Sequence, residues 1–107
     1  MISINDWIVF MTRDIASGFN WNQSWTDYKQ GFGSIGWEDY WMGLEAVHLL
    51  TTSGSYRLRV EWQESVTKYW FSIEYWLFYV DDEASDYTLN VKSYVHGDDG
   101  RVLYVLQ

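Results

Sequence analysis

The strongest pattern in the chain is a period of two that begins at Tyr56, where Tyr56, Leu58, Val60 and Trp62 alternate with Arg57, Arg59, Glu61 and Gln63. Alternation of this kind places apolar side chains on one face of a β-strand and polar ones on the other. Tyr87, Leu89 and Val91 alternate with Thr88, Asn90 and Lys92 and predict a second half-buried strand. Trp7 to Met11 is a short apolar run between Asp6 and the polar, Gly-containing stretch Arg13 to Gly18, too short for a helix and suited to a covered strand. Tyr69 to Val80 is almost wholly apolar, broken only by Ser72 and Glu74, and reads as one strand or as two joined by a bulge.

Two stretches have helical character. Ser24 stands three residues before Asp27, the spacing of a capping box, and Gly31 supplies the stop. From about Tyr40 to Leu50, Trp41, Leu44 and Val47 fall at helical spacing with His48 beside them, although Gly43 lies inside the run. Strands and short helices in this order predict a single α+β domain with an antiparallel sheet. No linker, repeat or low-complexity segment divides it.

Composition narrows the functions open to such a domain. The 107 residues include eight Trp, nine Tyr and five Phe but no Cys and no Pro, and fifteen acids against seven bases give a formal charge of −8. Without Cys there is no disulfide, thiolate zinc site or thiol nucleophile. The acid excess argues against nucleic acid, whose phosphates need clustered Lys and Arg. No run reaches the about 18 apolar residues of a membrane-crossing helix, and membrane insertion is not expected. Met1 to Trp7 carries no basic patch followed by an apolar core, so no signal peptide is visible and the chain is expected to be intracellular or a piece of something longer.

Candidate chemistry is sparse. His48 and His96 are the two histidines, His48 belongs to the helical pattern as a packing residue, and no nucleophile-elbow sequence surrounds any Ser. Glu38, Asp39 and Glu45 are near one another in sequence, yet a solvated helical surface explains them as well as an acid–base pair does. Asp81, Asp82, Glu83 and Asp86 offer oxygens to a hard cation but lack the alternating ligands and turn glycine of a calcium loop, and Asp98, Asp99 and Gly100 read as an acidic turn. The expectation is therefore no catalytic, cofactor or metal residue. Trp62, Trp70 and Trp76 cannot all point inward unless the sheet is covered on both faces, which makes them candidate ligand or partner residues. Asn22, Gln23 and Ser24 form an N-glycosylation acceptor, with Asn22 as the candidate site.

From Trp7 to about Gly97 the chain resembles the central part of a fibrinogen C-terminal domain. The resemblance is carried by Trp7 to Phe10 and Arg13, by Asn20 to Trp25, and by Tyr28, Lys29, Gly31, Phe32 and Gly33. Tyr40, Trp41, Gly43, Leu44, Glu45, Val47, His48 and Leu49 continue it, followed by Gly54, Tyr56, Leu58, Arg59, Val60, Tyr75, Phe78, Val80, Asp82 to Ser85, Tyr87, Leu89, Val91 and Tyr94. The likeness is nearest to the tenascin and ficolin-type branch. It implies a twisted antiparallel sheet flanked by short helices, with residues 1–107 forming one truncated domain whose tail, 101–107, diverges. The family's calcium loop, paired cysteines and main ligand pocket lie outside the matched stretch, so the resemblance implies no calcium and transfers no binding residue.

Members of that family are secreted or matrix proteins that bind sugars, acetyl groups, receptors or one another, and the familiar ones are not enzymes. The resemblance thus implies a non-catalytic, lectin-like extracellular module that binds glycan, glycoprotein or receptor surfaces. The alternative is a structural protein that self-associates through an exposed sheet edge or the apolar tail Val102 to Leu106, a segment with strand propensity expected to complete the sheet edge.

Overall fold

Alternation from Tyr56 and the apolar run ending at Val80 become the two long strands of the molecule, and the remaining elements are arranged around them. The computed structural model describes residues 2–4, 7–34, 39–94 and 101–106. In chain order the strands are β1 (Ile2–Ile4), β2 (Trp7–Thr12), β3 (Phe32–Gly33), β4 (Tyr40–Trp41), β5 (Tyr56–Gln63), β6 (Trp70–Val80), β7 (Leu89–Tyr94) and β8 (Arg101–Leu106). The helices are α1 (Trp25–Gln30) and α2 (Leu44–Thr52). The strands form one sheet in the order β3-β4-β2-β8-β5-β6-β7, with β1 paired to β2. The fold is α+β, with α2 against β6 and α1 against α2.

Most pairings are antiparallel, as expected, but β8 is parallel to both of its neighbours, Trp7 opposite Val102 on one side and Tyr56 opposite Arg101 on the other. The tail therefore corrects the sequence expectation. It is an interior strand of the sheet rather than a cover for its edge, and its backbone groups are paired on both sides, as an inserted strand requires.

The run Trp70–Val80 is one continuous strand. Helix α1 begins where predicted, with the Ser24 hydroxyl accepting from the Asp27 amide at 3.1 Å, and it ends at Gly31, whose φ of +100° suits glycine. The second helix begins later than its spacing predicts. Tyr40 and Trp41 pair as β4, and Gly43 with φ of +105° is the residue before α2 rather than one inside it. A Cβ on Gly43 would lie 2.6 Å from the carbonyl carbon of Gln30, and one on Gly31 would lie 2.5 Å from the carbonyl oxygen of Met42, so the two glycines let the end of α1 and the start of α2 touch backbone to backbone.

The alternation at Tyr87 also misleads. Asp86 and Tyr87 both have positive φ and close a turn after the short 3₁₀ segment Glu83–Ser85, so β7 begins at Leu89. Tyr87 is buried while Leu89 is exposed.

The main core gathers where α2 meets the sheet and consists of Phe10, Val47, Tyr56, Leu58, Phe78, Val80 and Tyr87. Phe10 stacks on Phe78 at 5.6 Å and meets the edge of Trp41 at 6.0 Å. A second aromatic cluster surrounds Phe32, which contacts Phe19, Trp21 and Tyr28 with ring centroids 5.0–5.8 Å away.

Candidate functional site

Register along β5 and β6 decides where the candidate tryptophans point. Trp62 lies opposite Phe71, and Gln63 lies opposite Trp70. Directly opposed residues share a face of the sheet and neighbours in sequence do not, so Trp62 and Trp70 are on opposite faces. The three candidate tryptophans are therefore divided between the two faces. Trp62 and Phe71 stack at 5.8 Å, while Trp70 and Trp76 belong to the other face. All three are solvent-accessible, with 37%, 58% and 53% of Trp62, Trp70 and Trp76 exposed.

Between Trp70 and Trp76 the same face carries Ser72 and Glu74 on β6, and Gln63, Glu61, Arg59 and Arg57 on β5. The two indoles are six residues apart along one strand, about 20 Å. Arg59 anchors the row, reaching Glu74 at 2.6 Å and Glu61 at 2.7 Å while its guanidinium stands 5.4 Å over the Trp7 ring. Arg57 lies 5.2 Å over the Trp76 ring. Cation–π contacts of this kind hold the indole in a defined orientation. The outcome is a row of polar side chains with an exposed indole at either end. Within the row Arg57 is buried, and Arg59, Glu61 and Glu74 are paired with one another. The Trp76 indole is oriented by Arg57, and both indoles are able to stack on flat apolar faces.

The hairpin tip that joins β5 to β6 is ordered by Glu64. Its carboxylate accepts from the Thr67 hydroxyl and amide at 2.6 Å each and from the Val66 amide at 3.1 Å. The Thr67 hydroxyl, then the two amides, hold its pKa below the usual carboxylate value against a small opposing effect of burial. Val66, Tyr69 and Phe71 add exposed apolar surface here. Sequence reasoning missed them because apolar residues in a strand pattern are read as buried.

The other candidates disperse. His48 is half-buried and its Nδ1 donates to the Val80 carbonyl at 2.8 Å, a structural role. Asp39 is not a solvated helical acid: it is 3% exposed and accepts from the Ser17 hydroxyl, from Trp21 Nε1 at 3.0 Å and from the Asp14 amide at 3.1 Å. Burial alone would raise its pKa, but these hydrogen bonds outweigh it and the carboxyl sits below its ordinary value. The acids after β6 also part company. Asp81 accepts from Asn90, Asp82 caps the Glu83–Ser85 turn and Glu83 pairs with Lys29 at 2.9 Å. Among the described residues no three potential ligands gather around one point. Asn22 is exposed in the loop before α1. His96, Asp98, Asp99, Gly100 and Glu38 lie outside the described residues.

A mixed sheet with α2 packed on β6 and α1 on α2 is an α+β globe of the fibrinogen-like kind. Residues 2–106 match the family described as fibrinogen beta and gamma chains, C-terminal globular domain, and the chain belongs to that family. It is 39% identical over 87 residues to the fibrinogen-like protein 1-like protein of Gallus gallus, covering 79% of this chain and 30% of that one. With the fibrinogen alpha chain of Rattus norvegicus it shares 40% identity over 95 residues, 86% of this chain and 12% of the other. Among solved structures, the fibrinogen-like globe domain of human ANGPTL2 superposes with a TM-score of 0.67 at 37% identity, covering 78% of this chain and 37% of that domain. A lamprey fibrin D-dimer complexed with the peptide Gly-His-Arg-Pro-amide superposes with a TM-score of 0.68 at 30% identity, covering 78% and 27%. The chain thus spans about a third or less of the curated relatives it matches.

Proposed function

We propose that this domain is a non-catalytic extracellular recognition module that binds glycan or glycoprotein surfaces through the face running from Trp70 to Trp76. The observation that supports the reading is the placement of two exposed indoles on one sheet face with a row of polar side chains between them. Pyranose rings present apolar C–H faces bordered by hydroxyls, and the two indoles can stack on those faces. Membership of the fibrinogen C-terminal family supports recognition as the class of function. No cofactor takes part in this reading. An extracellular setting also makes Asn22, exposed ahead of α1, an acceptor for N-linked glycan.

A glycan array tests the proposal. Wild-type protein is expected to retain glycans, and Trp70→Ala and Trp76→Ala each to weaken them about tenfold while leaving the far-ultraviolet dichroism unchanged. No signal on well-folded wild-type protein overturns the lectin form.

A second reading, self-association, has one observation in its favour. With β8 inside the sheet, the outer edge of β7 is the longer open edge among the described strands. Lys92 on that strand is the sort of charge that discourages edge pairing. A concentration-independent monomer mass in light scattering eliminates this reading.

A further inference from the structure

A cavity of about 280 Å³ opens between α2 and the strands. Its walls include Phe10, Trp41, Leu44, Val47, Tyr87 and Leu89. Val47 and Phe10 are buried at its floor, whereas Leu89 is 60% exposed and marks its mouth. An apolar cavity of about 150 Å³ stays dry and admits benzene, so the space here takes an aromatic ring with a short chain attached.

The charge around this apolar space is one-sided. The Tyr87 hydroxyl donates to Glu45 Oε2 at 2.5 Å, which places a half-exposed carboxylate beside a residue of the wall. Asp82 and Glu83 also act electrostatically on Tyr87, while the base of this cluster, Lys29, is tied to Glu83 at 2.9 Å. Three carboxylates thus face one ammonium. Burial, followed by the Glu45 contact, holds the Tyr87 phenol protonated well above its ordinary pKa, so it stays a neutral donor to Glu45. An anion brought here is repelled and a cation attracted.

We propose that this pocket binds a small arylalkylamine, with the apolar body in the cavity under α2 and the ammonium beside Glu45. A ligand in it reaches Phe10 and Val47 without touching Trp70 or Trp76, neither of which lines the cavity.

The test is a titration of the ¹⁵N-labelled full chain with phenethylamine, 2-phenylethanol and phenylacetate, which share a ring and differ in head group. The expected result is amide shifts at Leu44, Val47 and Leu89, with phenethylamine bound at least about tenfold more tightly than phenylacetate and the alcohol between them. Glu45→Gln is expected to narrow that ratio to about threefold or less without displacing the ring. Leu89→Trp, at an exposed position, fills the mouth with the fold retained and is expected to abolish binding of all three. The proposal fails if none of the three compounds shifts the wall amides of the folded wild-type chain. It also fails if the acid binds as tightly as the amine, or if Glu45→Gln leaves the ratio unchanged.

Discussion

Thr51 receives the backbone amide of Val80 on its hydroxyl at 3.1 Å, while the same hydroxyl donates to the Val47 carbonyl at 2.7 Å. The Val80 carbonyl in turn accepts from His48. Both backbone groups of Val80 are thus taken by side chains of α2, and the helix is fastened to β6 by hydrogen bonds as well as by packing. Thr51→Val keeps the shape and strands a buried amide. A loss of about 1–3 kcal/mol is expected, read as a lower urea midpoint with an unchanged slope.

Asp39 gathers three donors that would otherwise be partly buried without acceptors. Asp39→Ala is expected to cost about 3 kcal/mol. The same bonds couple stability to pH. Because the folded carboxyl lies below its ordinary value of 3.8, its contribution is complete above that pH and disappears as the pH falls through the folded pKa. Acid unfolding of the wild type should therefore begin below about pH 4, and Asp39→Asn should flatten that limb of the profile. Thermal melts from pH 6 to pH 2 measure it.

Gly43 and Gly18 both have positive φ, but their surroundings differ. A Cβ at Gly43 strikes the Gln30 backbone at 2.6 Å, whereas one at Gly18 meets nothing within 4 Å. Gly18→Ala should cost about 1 kcal/mol, the price of a left-handed alanine alone. Gly43→Ala should cost more than about 3 kcal/mol, because the end of α1 and the start of α2 must separate to admit it. Equal losses in parallel denaturant titrations would show that the close approach at Gly43 carries no energy.

Removing Arg101 to Gln107 takes out an interior strand and leaves facing edges on β2 and β5. Loss of the cooperative thermal transition, with association on size-exclusion chromatography, is the expected outcome. A truncated chain that still melts cooperatively would show that the sheet closes without β8.

Local signals in the sequence were reliable where the structure itself is local. The alternation from Tyr56, the Ser24 cap and the Gly31 stop each depend on residues within a few positions, and each forms as read. Trp41 and Leu44 carried helical spacing, but the left-handed backbone of Gly43 between them is imposed by contact with α1, which no local pattern records. Tyr87 continued a period-two run yet sits in a turn closed by amide bonds back to Asp82 and Glu83. The site was half legible. That the three tryptophans could not all be buried followed from there being too many for one face, but their division between faces depends on a single register, Trp62 opposite Phe71, and one residue of slip would exchange them. The pairing of Glu45 with Tyr87 spans 42 positions and left no trace in the sequence pattern.

The position of β8 also sets an order of events during synthesis. The strand that lies between β2 and β5 is made after both, and Trp7 must wait for Val102 before its side of the sheet can close. Until then the nascent chain presents two unpaired edges to its surroundings, and its slowest contacts are those of greatest sequence separation. A nascent chain therefore carries an open sheet until residues 101–106 have been made, and chaperone demand should fall once they are in place.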